Sequence, residues 1–103
     1  MVQEELCRAI QLRRLVRFQY EGNYAIGDRV VEPHMIAFNG LDNLCLSAWF
    51  LSGASESGEG PGWREYLVQY ISNVIVLPES FVGPRPGFRP DGGKTFHSVR
   101  CGL

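Results

Sequence analysis

Short runs in which apolar side chains recur at every second position, each stopped by a turn signal, occupy residues 16–77. In Val16-Arg17-Phe18-Gln19-Tyr20 the residues Val16, Phe18 and Tyr20 share one side, and Glu21-Gly22-Asn23 supplies a turn. Successive side chains of a strand point to opposite faces, so this period predicts a half-buried strand rather than a helix. Residues 29–38 read as a second strand. Pro33 cannot donate to a ladder, which places that strand at an edge or bends it there. Asn39-Gly40-Leu41-Asp42-Asn43 is a hairpin signal, and residues 44–51 follow as the most apolar run, suited to the centre of a sheet. Residues 52–62 form a loop of small residues, residues 64–69 a fourth strand, residues 70–73 a tight turn and residues 74–77 a last core strand.

Ahead of the strands, residues 2–15 carry the helical period. Val2, Leu6, Ala9 and Ile10 form one stripe, with Glu4, Glu5, Arg8 and Arg14 on the other side. Early acids and late arginines suit the helix dipole. After residue 78 proline and glycine accumulate, as in Gly83-Pro84-Arg85-Pro86-Gly87 and Arg89-Pro90-Asp91-Gly92-Gly93. This tail is expected to run extended and solvated over the surface, with residues 95–101 able to add an edge strand. The expected fold is therefore mainly β with one N-terminal helix. It is a small SH3-like or Sm-like five-stranded barrel over residues 1–81, with a C-terminal extension over residues 82–103. Closing a small sheet removes exposed edges. A lone helix excludes a helix-turn-helix.

A chain of 103 residues buries somewhat over ~60% of its unfolded surface, enough for one domain with a modest core. No run approaches the ~18 apolar residues that a membrane span needs. The acidic start Met1-Val2-Gln3-Glu4-Glu5 does not read as a secretory signal. Cys7, Cys45 and Cys101 are odd in number and far apart, which argues against a disulfide framework and for a reducing cytoplasm. Neither cysteines nor histidines fall at zinc spacing, so no metal and no cofactor is expected. The formal net charge of −1 gives no global pull toward nucleic acid. Every basic residue except Lys94 is arginine, the side chain whose planar fork holds carboxylates and phosphates bidentately. A high-GC genome produces the same bias without any ligand.

The order of Ala9-Ile10, Phe18-Gln19-Tyr20, Arg29-Val30-Val31-Glu32-Pro33-His34, Arg64-Glu65-Tyr66 and Asn73-Val74-Ile75-Val76-Leu77 through Phe81 resembles the WYL domain family. Members are mostly bacterial, and the domain usually follows a DNA-binding helix-turn-helix in transcription regulators. Leu44-Cys45-Leu46 stands where the family carries Trp-Tyr-Leu, and Tyr70 stands where many members carry arginine. The resemblance implies a stand-alone Sm-like barrel that senses a nucleotide or single-stranded nucleic acid through an arginine-bearing surface.

Arg64 and Arg29 are the candidate anion clamps. Each has a bland alternative: Arg64 paired with an acid such as Glu32, Arg29 paired with Asp28. Tyr20, Tyr66 and Tyr70 offer stacking faces, or else rest on the core with a wet hydroxyl. Trp63, beside the glycine-rich loop, is the better tryptophan for an exposed contact. Cys45 and Ser47 share a face of the third strand; His34 within reach of Cys45 across strands would make a reactive thiolate, but a small buried core cysteine is the favoured reading. No third orienting group is visible for a Cys-His hydrolase, so no enzyme is expected. Two functional classes follow. One is a non-enzymatic ligand-sensing domain tied to transcriptional regulation. The other is motivated by the missing Trp-Tyr pair: an interaction module that pairs with itself or with a regulator protein.

Overall fold

The computed structural model describes residues 1–22, 25–55 and 58–103. Asn23 of the expected first turn, and Glu56 and Ser57 of the expected loop, lie outside these residues. Helix α1 (Val2–Leu12) buries Leu6, Ala9 and Ile10, the stripe its sequence spacing predicts. It ends earlier than residue 15 because Arg13 turns into the left-handed region (φ 53), with the capping backbone N–H reaching the carbonyls of Ala9 and Ile10. Phe81 donates its backbone N–H to the Arg13 carbonyl at 2.9 Å, and the Arg13 guanidinium donates to the Val82 carbonyl at 2.8 Å. The corner is therefore locked from a distant part of the chain.

The strands are β1 (Arg14–Tyr20), β2 (Asp28–Asn39), β3 (Leu44–Gly53), β4 (Gly62–Leu67), β5 (Ile71–Ser80) and β6 (Phe96–Gly102). They form one antiparallel sheet in the order β4-β3-β2-β1-β5, with β6 also paired to β2. The sheet is six-stranded and does not close, in place of the five-stranded barrel expected from sequence. A single 3-10 turn, Val68–Tyr70, separates β4 from β5, slightly before the expected turn at residues 70–73. Asn73 instead sits inside β5 at positive φ, beside a register shift against β1.

Strand β2 explains the sixth strand. Its first part pairs with β1 from Asp28 to Val31, and its last part pairs with β6 from Met35 to Asn39. Pro33 falls in the gap between these partners, where its missing N–H leaves no ladder bond unmade, and β2 shifts register against β3 between Pro33 and Met35. Proline thus marks a local edge and a bend within a central strand.

Two different layers cover the sheet. On one face α1 packs over a core of Val16, Phe18, Val31, Ile36, Leu46, Ala48, Phe50 and Ile71. Fully burying such a side chain contributes about 1.5–3 kcal/mol. The other face is covered by residues 81–96, and here the solvated tail of the sequence reading is corrected. Phe81 and Phe88 pack on His34 at ring distances of 5.6 and 5.4 Å, and the Trp63 indole N–H donates to the Pro86 carbonyl at 2.9 Å. Lone aromatic residues among prolines carry no period, so their docking cannot be read locally.

The cysteines also differ from expectation. Cys7 of α1 and Cys101 of β6 form a disulfide across 94 residues, with Cα atoms 5.8 Å apart, and only Cys45 is free. The odd count concealed one pair and one buried thiol. The pair meets because α1 and β6 both pack against β2. Among the described residues no helix is long and apolar enough to cross a membrane.

Candidate functional site

The sequence-predicted residues divide between the two faces of the sheet. Arg29, Tyr20, Tyr66, Tyr70 and Arg64 lie on the α1 side. Phe18 pairs with Arg29, and Leu46 and Ala48 pair with Tyr66 and Arg64, so strand alternation puts Arg29, Tyr66 and Arg64 on the core face; Tyr20 shares Phe18's face of β1, and Tyr70 lies in the 3-10 turn after β4. The Tyr66 ring meets Phe18 and Tyr20 edge-on, each at 5.0 Å, and Tyr20 meets Tyr70 at 6.2 Å.

Arg29 is 1% exposed. Its guanidinium donates to the carbonyls of Tyr20, Gly27 and Ala25 at 3.2, 3.2 and 2.9 Å, and it lies 5.3 Å from the Tyr20 ring centroid. A buried guanidinium must be satisfied this way, and it acts here as a clasp for the chain between β1 and β2. Tyr20 accepts a bond from the Leu67 N–H at 3.0 Å, tying β1 to the end of β4. Burial pushes the Tyr66 hydroxyl up to about 12, against the opposing pull of Arg29 and Arg64. Tyr66 therefore stays neutral, and two of the three tyrosines are structural. Tyr70, 41% exposed, keeps an open ring face. Arg64 donates to the carbonyls of Trp63 and Gly60 at 2.9 and 3.0 Å and rests 5.1 Å from the Phe50 ring centroid. Its expected acid, Glu32, is engaged elsewhere.

On the tail side stand His34, Cys45 and Ser47. His34 is fully buried. The Arg85 backbone N–H can only donate, so it fixes His34 Nε2 as the acceptor at 3.1 Å. Nδ1 then carries the proton and donates it to the Glu32 carbonyl at 2.8 Å. Burial lowers the His34 pKa, with Arg85 adding to the effect, so the ring is held neutral. The Arg85 side chain grips the Glu32 carboxylate with both arms, at 2.8 and 2.9 Å, and covers the Trp49 ring at 5.0 Å. Residues 84–88 are thus latched to β2 through one residue's backbone and side chain together.

Cys45 does not meet His34. Its Cα partners are Ala37 and Leu67, its thiol donates to the Asn43 carbonyl at 3.4 Å, and burial pushes its pKa up. With both His34 nitrogens occupied, the Cys-His couple considered from sequence is not formed.

A cleft of about 450 Å³ opens between β4 and the docked tail. Trp63, Phe88 and Phe96 supply ring surface, Met35 and Ser47 come from the sheet, and Glu65 and Arg89 bring opposite charges. Arg64 belongs to the same lining. Gly92 shapes the turn that carries Arg89: it has φ +89, and a Cβ there would lie 2.5 Å from the Phe96 carbonyl. A second groove of about 660 Å³ lies under residues 80–86, but its two charged residues, Glu32 and Arg85, neutralise one another.

Of the residues singled out from sequence, Arg64, Ser47 and Trp63 border the first cleft. Sequence reasoning missed Phe88, Arg89, Phe96, Met35 and Glu65. The available signal was the concentration of arginine and phenylalanine among tail residues too rich in proline to form a core of their own. No protein-family model matches the chain, and no curated protein or solved structure matches it.

Proposed function

We propose that the chain is a non-enzymatic ligand-sensing domain, WYL-like in kind, that takes a nucleotide between β4 and the tail. The observation that carries this reading is the 450 Å³ cleft, with the rings of Trp63, Phe88 and Phe96 and the guanidinium of Arg89 in its lining. Small-molecule sites are concave, mainly apolar and of this size, with a few polar groups that fix orientation. Base stacking on an aromatic ring contributes about 1–3 kcal/mol, and a guanidinium is suited to a phosphate. The meander from β1 to β4, with one short turn before β5, supports kinship with SH3-like and Sm-like barrels. The protonated, buried Cys45 and the fully engaged His34 support a binding rather than a catalytic role. Because the tail forms one wall, ligand binding would steady the tail and so alter what the domain presents to a regulator.

Titrating mononucleotides into the protein at two salt concentrations, while following tryptophan fluorescence, tests the reading. Quenching is expected, weakened in Arg89→Gln and less salt-dependent there. A fluorescence signal indifferent to every mononucleotide would defeat it.

The self-association reading has one observation of its own. Strand β5 ends the sheet and exposes Ile75, 46% accessible, beside an open edge. Light scattering would support that reading with a dimer that Ile75→Lys dissolves, and would oppose it with a strict monomer.

A further inference from the structure

Resting on the nucleotide reading of the cleft, we propose that its base specificity is for guanine and that Glu65 sets it. Glu65 follows Arg64 on β4 and is the Cα partner of Ser47 on β3, so both side chains project toward the tail. The cleft thus contains a carboxylate and, on the opposite wall, the Arg89 guanidinium. Among the described residues neither group has an ion pair or a side-chain hydrogen bond.

An ionised carboxylate only accepts, and it repels phosphate. In a nucleotide site it faces donors, on the base or on the ribose hydroxyls, and we assign Glu65 to the base while the phosphate goes to Arg89; a ribose contact would leave GMP and AMP equal. The four bases differ in what their pairing edges offer. Guanine presents two adjacent N–H donors, at N1 and N2, which match two carboxylate oxygens. Adenine and cytosine each set one amino donor beside a ring-nitrogen acceptor, and that acceptor would face a negative oxygen. Uracil places its single N–H between two carbonyls. Only guanine makes two bonds to Glu65 without a repulsive neighbour, and a two-bond pairing of this kind discriminates by roughly tenfold to a hundredfold. The rings of Trp63, Phe88 and Phe96 accept any base, so they add affinity without choosing.

Isothermal titration of the whole chain with GMP, AMP, CMP, UMP and guanosine tests this. GMP should bind about tenfold or more tightly than AMP. Glu65→Gln should remove that preference without weakening AMP; Glu65 is exposed, so the variant keeps its fold, which circular dichroism checks. Arg89→Gln should weaken GMP and AMP by a similar factor and leave guanosine unchanged. Equal affinity for GMP and AMP, or a preference that survives Glu65→Gln, overturns the guanine assignment while the cleft remains a nucleotide site. Tighter binding of all nucleotides in Glu65→Gln, with the GMP preference unchanged, overturns it too. Absence of binding by every nucleotide overturns both readings.

Discussion

The face under α1 and the face under the tail belong to the same sheet but are held by different forces. Under α1 the bulk of the contacts are apolar side chains from neighbouring strands and one amphipathic helix, with the Arg29 guanidinium and the Tyr20 hydroxyl bonded to backbone at one end. Their attraction is non-directional and indifferent to proton concentration. Under the tail the contacts are a neutral histidine, a two-armed ion pair, an indole hydrogen bond and stacked rings. Each depends on orientation, and two depend on protonation state. One face supplies the stability of the domain, while the other supplies a wall whose docking can respond to conditions.

The largest loss is expected on the apolar face. Leu46→Ala should destabilise the fold by about 2–5 kcal/mol, read by denaturant unfolding, with little change between pH 5 and 8. A strongly pH-dependent loss would show that the two faces are not separable. Next in size is the Cys7–Cys101 link, which joins the α1 layer to β6. Replacing both cysteines with serine should cost about 2–4 kcal/mol in oxidised protein and nothing in reduced protein, measured by thermal unfolding.

The tail face is sharpened by acid. The folded pKa of His34 is lowered from its ordinary value of 6.5, so the unfolded chain takes up a proton that the folded chain refuses. Stability from this group is complete above about pH 6.5 and declines as pH falls toward the folded value, by at most ~1.4 kcal/mol per pH unit. Protection of the Arg85, Gly87 and Phe88 amides against hydrogen exchange, taken relative to the intrinsic rate at each pH, should fall as pH drops through that window, and His34→Gln should remove the dependence. Glu32 and Arg85 face the same ring and are paired with each other. The smallest effect belongs to Tyr70→Ala. Its ring is largely open, so stability should change by no more than about 0.5 kcal/mol. A larger loss would place Tyr70 among the structural rings with Tyr20 and Tyr66.

How far the site could be read from the chain follows from where each signal sits. Leu6, Ala9 and Ile10, and the alternation through Val16, Phe18 and Tyr20, are local periods, and periods survive without knowledge of partners. The guanidinium of Arg29 was visible as a charge, but the carbonyls it donates to, of Tyr20 at the end of β1 and of Ala25 and Gly27 before β2, come within its reach only once β1 and β2 are paired. His34 and Arg85 are 51 residues apart, and no spacing rule links them. The same holds for the cleft, whose walls come from β4 and from a turn near Gly92.

By itself the order of amino acids determined a helix followed by antiparallel strands, because amphipathic period and turn residues act over a few positions. The expected edge strand at residues 95–101 forms as β6, but the tertiary structure alone decided that residues 81–96 are a wall rather than a solvated extension, that Cys7 meets Cys101, and that Arg29 points inward. Those outcomes rest on contacts between residues distant along the chain. Their partners are chosen by geometry that exists only after the sheet has formed.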